Sequence, residues 1–126
     1  DNLHELAGSK NIIKLHGRLP NDEELSICDR LYNTPVLYGD AAPMYQDAYD
    51  MVDYMRDDDI LLVVGASEYT LISTQLRQAA RYNGARVVEI QDNAATKVRK
   101  FIESHKDNIE SFESRKETVD KNIIQY

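Results

Sequence analysis

Apolar positions change their spacing along this chain, and each change predicts an element. Asn11-Ile12-Ile13-Lys14-Leu15 predicts a short strand over 11–15 that stops at His16-Gly17. From Arg18 to Thr34 the chain turns polar and acidic around Pro20-Asn21-Asp22-Glu23-Glu24, the pattern of a loop excursion with at most a helical turn. Pro35-Val36-Leu37-Tyr38 predicts a second short strand, closed by Gly39-Asp40. Met44, Ala48, Met51, Val52 and Met55 then fall at three- and four-residue steps, so 44–56 is expected to be a helix with one buried stripe. Asp57-Asp58-Asp59 is a solvated turn leading into Ile60 to Val64, a continuous apolar run that suits a parallel strand covered on both faces. After Gly65-Ala66-Ser67, the positions Leu71, Ile72, Leu76, Ala79 and Ala80 line one face of a helix that a glycine cap at Asn83-Gly84 would end. Arg86 to Ile90 is another strand of buried type, and helical patterns follow over about 95–105 and 109–123.

Strands and helices in alternation predict an α/β fold, a parallel Rossmann-like sheet flanked by helices, with strands near 11–15, 60–64 and 86–90. One domain over 1–126 is expected, with a small excursion at 18–34. In such sheets ligands bind beyond the carboxyl ends of the strands. His16-Gly17, Gly65-Ala66-Ser67 and Gln91-Asp92 would lie there, so that edge is the place to look for a site.

Composition narrows the function. The 126 residues carry 15 Lys and Arg against 22 Asp and Glu, net -7, which argues against nucleic acid held on a broad basic surface. A basic peptide or a small molecule is the better-matched partner. The longest apolar run is strand-sized, far from the roughly 20 residues of a membrane span. The start, Asp1-Asn2-Leu3-His4-Glu5, does not read as a signal peptide. Cys28 stands alone, so it forms no internal disulfide and builds no four-cysteine zinc site; it reads as a small semi-buried hydrophobe, and a reducing cytoplasm is the expected compartment.

Five short stretches, in order, resemble one family. Asp1 to Gly8 is similar to the second half of the signature Asn-Ile-Asp-x-Leu-His-x-x-Ala-Gly, and Leu15-His16-Gly17 to the catalytic His-Gly that follows it. Val36-Leu37-Tyr38-Gly39-Asp40 resembles a substrate strand of the form Val-x-Phe-Gly-Glu. Asp59 to Ser67 resembles Asp-x-x-x-x-x-Gly-Thr-Ser with Ala66 for threonine, and Gly84 to Gln91 resembles Gly-Ala-x-x-Val-x-Ile-Asn with Gln91 for asparagine. The family is that of the sirtuins, the Sir2-like NAD-dependent protein deacylases. The resemblance covers residues 1 to about 92 and departs in two ways. The family's zinc ribbon of two Cys-x-x-Cys pairs has no counterpart in 18–34, so no zinc is expected. The family's first half, with its Gly-Ala-Gly-x-Ser phosphate loop, cofactor lid and catalytic asparagine, is also unmatched, so the chain by itself is expected to be inactive.

The resemblance implies a chemistry and assigns residues to it. An acyl-lysine peptide or protein would give its acyl group to the ADP-ribose part of NAD with release of nicotinamide, and His16 would be the general base. An imidazole suits that task because its ordinary pKa, about 6.5, lies near working pH. Asp1, Gly65, Ala66, Ser67, Gln91 and Asp92 would face the cofactor, and Val36, Leu37 and Tyr38 would receive the substrate peptide by strand addition. His4 is expected to be structural and His105 solvent-exposed. Two other functions fit the same residues: a zinc-less Sir2-like NAD hydrolase, and a catalytically silent Sir2-like interaction module. Acyl group, target and oligomeric state are not encoded in these motifs.

Overall fold

The first strand is short because its polar ends, Asn11 and Lys14, leave only Ile12 and Ile13 as an apolar centre. The computed structural model describes residues 2–23, 35–37, 42–106 and 122–125. They fall into two compact units, 1–54 with 122–126 and 55–121.

In the first unit a one-turn helix α1 (Leu3–Leu6) precedes β1 (Asn11–Lys14), and a ten-residue helix α2 (Met44–Asp53) packs on β1. Of the expected stripe, Met44, Ala48 and Val52 are buried at four-residue steps, with Leu15 also in the core; Met51 is half-buried, and Met55 lies beyond the helix, which ends at Asp53 and not at 56. The partner of β1 is β4 (Asn122–Gln125), parallel, with Ile12 opposite Ile123 and Ile13 opposite Ile124. Two expectations change here. The strand at 11–14 is not hydrogen-bonded to the strand at 60–64, and residues 122–123, read as the end of a helix, belong to a strand. Asn122-Ile123-Ile124-Gln125 has the same apolar pair between polar ends as β1, and inter-strand pairing overrides the weak helical periodicity upstream.

Residues 35–37 are also not in a strand. Pro35 has no N–H to offer a ladder, and Val36 gives its own to the His16 carbonyl at 3.1 Å. Asp1, Tyr38, the stretch 24–34 with Cys28, and the helical pattern over 109–121 lie outside the described residues.

The second unit is β2 (Ile60–Val64), α3 (Leu71–Tyr82), β3 (Arg86–Ile90) and α4 (Ala94–Ser104). β2 and β3 pair in parallel, Val64 opposite Ile90, with α3 as the crossover and both helices against β3. This is the expected α/β class. β2 is not covered on both faces: Ile60 to Val63 are half-buried and Val64 is exposed.

α3 ends as its sequence predicts. Gly84 sits at φ +89°, the Ala85 N–H reaches back to the Ala80 carbonyl at 2.9 Å, and the Gly84 N–H to Arg81 at 3.1 Å. These are the two bonds of a Schellman cap, which satisfy carbonyls the helix end would otherwise leave bare. The buried face of α3 is Ile72, Ser73, Leu76, Arg77 and Ala80, whereas Leu71 is exposed. The buried stripe therefore includes two polar residues that the hydrophobic pattern had left outside it.

Candidate functional site

Parallel pairing of β2 and β3 brings their carboxyl ends level, so the two loops that follow lie side by side. Gly65 takes φ +64°, and its N–H bonds to the Ile90 carbonyl at 2.9 Å, carrying the ladder one step past the strand. A Cβ on Gly65 would meet nothing within 4 Å, so this glycine is required by its dihedral and not by crowding. Ser67 then turns the chain into α3: its hydroxyl accepts the Tyr69 N–H at 3.0 Å, and Thr74 Oγ1 donates to the Glu68 carbonyl at 2.7 Å. Gly65 and Ser67 are exposed; Ala66 between them is half-buried.

The Ala66 carbonyl is the junction of this edge. It accepts Nη2 of Arg77 at 2.7 Å and Nε2 of Gln91 at 3.0 Å. The structure thus joins Gly65, Ala66, Ser67 and Gln91, four of the residues singled out in the sequence. Asp92 beside them is bonded to Lys97, which with its charge holds the Asp92 carboxyl below the usual aspartate range. Arg77 was missed by the sequence. It is buried, donates to Ser73 Oγ, and lies 3.4 Å from Glu89 Oε1, which Arg81 also approaches at 3.2 Å. A cation one place after a leucine in an amphipathic helix reads as surface; only Glu89, two residues before Gln91 on β3, could have hinted at a buried pair.

His16 belongs to the first unit, immediately beyond β1. Its Nε2 lies 3.0 Å from the hydroxyl of Tyr45 on α2, with the rings edge to face at a centroid distance of 5.8 Å. In one neutral tautomer the phenol donates to Nε2; in the other Nε2–H donates to the phenol. Either way Tyr45, which the sequence reading did not single out, fixes the direction of the ring. Val36 is tied to His16 through its backbone, Leu37 is exposed, and Tyr38 and Asp1 lie outside the described residues. His4 is half-buried in the first unit.

His105 is not solvent-exposed. It is half-buried and stacked on Phe101 at 4.2 Å, Nδ1 meets the Phe101 carbonyl at 2.8 Å, and Nε2 meets Arg86 Nη2 at 2.7 Å. A guanidinium can only donate, so Nε2 is the acceptor and Nδ1 carries the proton. An open apolar hollow of about 620 Å³ runs along α4 past Ala94, Ala95, Val98 and Ile102, and none of the candidate residues lines it. Among the described residues no group of three or more His, Cys, Asp or Glu is placed to hold a metal.

The edge at 65–67 and 91 offers a positive-φ turn open to solvent and an exposed serine. An NAD-dependent protein deacetylase of Bacillus cereus is 36% identical over 87 aligned positions, taking in 53% of this chain and 35% of its own length. The chain is a relative of the sirtuins. An NAD-dependent protein deacylase of Aquifex aeolicus is 26% identical across the whole chain and 58% of its own length, and NAD-dependent protein deacylase 2 of Pyrobaculum aerophilum is 31% identical over 71% of the chain and 44% of its own. The chain therefore spans from about a third to just over half of these sirtuins. The Aquifex alignment runs to 149 positions for 126 residues, so that sirtuin carries residues here that this chain lacks. No protein-family model matches the chain, and no solved structure does so significantly.

Proposed function

We propose that this chain is the second half of an NAD-dependent protein-lysine deacylase, contributing the adenosine side of the cofactor site and the general base. What carries the reading is the joined edge of Gly65, Ala66, Ser67 and Gln91 at the carboxyl ends of two parallel strands, in a relative of proteins named for NAD dependence. Gly65 admits close approach, and the exposed Ser67 supplies backbone and hydroxyl polarity to a sugar or phosphate. Gln91 braces the loop through Nε2, so it supports the cofactor indirectly as well as with its Oε1. Asp92 is held by Lys97 at the rim, and Asp1 belongs to the motif that positions the nicotinamide ribose.

NAD, when bound, supplies the ribose carbon that the acyl oxygen attacks as nicotinamide leaves. His16 takes the proton from a ribose hydroxyl, with Tyr45 setting the angle of its ring. Val36, Leu37 and Tyr38 receive the acyl-lysine peptide. The sequence contains no Gly-Ala-Gly-x-Ser run, so the chain alone lacks a phosphate loop and is inactive as it stands. No zinc is part of this reading, because 18–34 holds one cysteine and no histidine.

The test is a chimera in which this chain replaces the matched part of the Aquifex sirtuin. Nicotinamide release that requires an acetyl-lysine peptide supports deacylation, and release without it supports hydrolysis. His16→Ala should lower turnover about 10²–10⁴-fold with NAD binding retained. A chimera that binds NAD and releases nicotinamide equally well with His16→Ala refutes the assignment of the base.

A further inference from the structure

A buried arginine attached to a loop carbonyl has a consequence on the other side of the peptide. The 66–67 peptide is trans, so its C=O and N–H point in opposite directions. Arg77 and Gln91 draw the Ala66 carbonyl inward with bonds of 2.7 and 3.0 Å. The Ser67 N–H must therefore face away from them, and among the described residues it meets no acceptor. The preceding Gly65 at φ +64° lets the chain make that turn without strain.

We propose that Arg77 is a positioning residue for ligand binding: by clamping the Ala66 carbonyl it aims the Ser67 N–H outward as a donor to an oxygen of the ribose or diphosphate of NAD. The role rests on the reading that this loop faces the cofactor, and assigns the aim of the donor to a residue in neither loop. Of the two clamping donors Arg77 is the stronger. Its guanidinium is charged and buried, donates through its Nη atoms to Ser73 and to the carbonyl itself, and has Glu89 from β3 as an ion-pair neighbour 3.4 Å from Nε, which makes no hydrogen bond. Gln91 is exposed and neutral. A guanidinium fork can bridge Ser73 and Ala66 at once with its Nη atoms, which a lysine ammonium on a flexible stem does not reproduce.

The test uses the chain itself, with ADP-ribose as the probe, titrated by calorimetry and by amide resonances. Arg77→Met should raise the Kd for ADP-ribose about tenfold and move the Ser67 amide resonance, even without ligand. Arg77→Lys keeps a cation beside Glu89; it should raise Kd about threefold with the same direction of shift at Ser67. Leu76→Ala, a buried change on the same helix, should lower Tm and leave Kd within about twofold. Kd within about twofold of the unaltered chain in both Arg77 variants overturns the role, as does an equal rise in Leu76→Ala. No binding by the unaltered chain at about 10 mM ADP-ribose overturns the cofactor reading and this role with it.

Discussion

Substituting alanine for Gly65 separates the loop's fold from its function. An L-residue held in the left-handed region is less stable by roughly 1–2 kcal/mol. Alanine also narrows the unfolded ensemble, which returns about 0.4–1 kcal/mol. Nothing lies within 4 Å of the new methyl, so no clash adds to this and the net loss should be about 1 kcal/mol, a fall in Tm of roughly 3–5 °C. Gly84→Ala is the control. Its φ of +89° carries a comparable dihedral penalty, its methyl would sit 3.4 Å from Asp57 Cβ, and it lies at the far end of α3 from the 65–67 loop. Both variants should unfold at similar temperatures, Gly84→Ala slightly lower. Only Gly65→Ala should bind NAD more weakly, by tenfold or so, because its methyl stands where a ligand approaches. Thermal unfolding and calorimetric titration of the pair decide it. Equal NAD affinity in both would refute a cofactor contact at Gly65, and unchanged Tm in both would refute the dihedral argument.

Val52→Ala should destabilise the first unit by roughly 2–3 kcal/mol in urea unfolding, since Val52 is 1% exposed and its methyls leave a cavity against β1. Tyr45→Phe should lower nicotinamide release of the chimera about tenfold, with NAD affinity unchanged. Acid should loosen α1. The Lys14 ammonium, 2.7 Å from Glu5, holds that carboxyl below its ordinary range, so the tie is present above the unfolded value of about 4.3 and lost as pH falls through the lower folded value. A pH titration of the Ala7 amide resonance should show this step, and Lys14→Met should remove it.

The α/β class was legible because period and residue type agreed over 44–53, 60–64, 71–82 and 86–90, where the expected elements formed. The cap at Gly84 was legible for the same reason: its residue type and position both pointed to it. What stayed hidden depended on partners distant in sequence. β1 pairs with 122–125, and four residues with an apolar pair carry too little pattern to name that partner. Residues 35–37 look like a strand by composition, yet Val36 spends its N–H on His16. Among the candidate residues, His16 stands out in the first unit, and Gly65, Ser67 and Gln91 in the second, because motif and strand end coincide. Arg77 and Tyr45 could not, since each matters through one distant atom, the Ala66 carbonyl or the His16 imidazole.

If the edge joined at Ala66 holds the adenosine half of NAD, as proposed, the cofactor must be felt first at that edge. Titrating the 15N-labelled chain with NAD and following every backbone amide tests it most directly. Saturable shifts should centre on Gly65, Ser67 and Gln91, with Gly84 and Ala85 at the opposite end of α3 unmoved. Saturable shifts confined to the apolar hollow of α4, or no shifts at about 10 mM NAD with the fold intact, would contradict it.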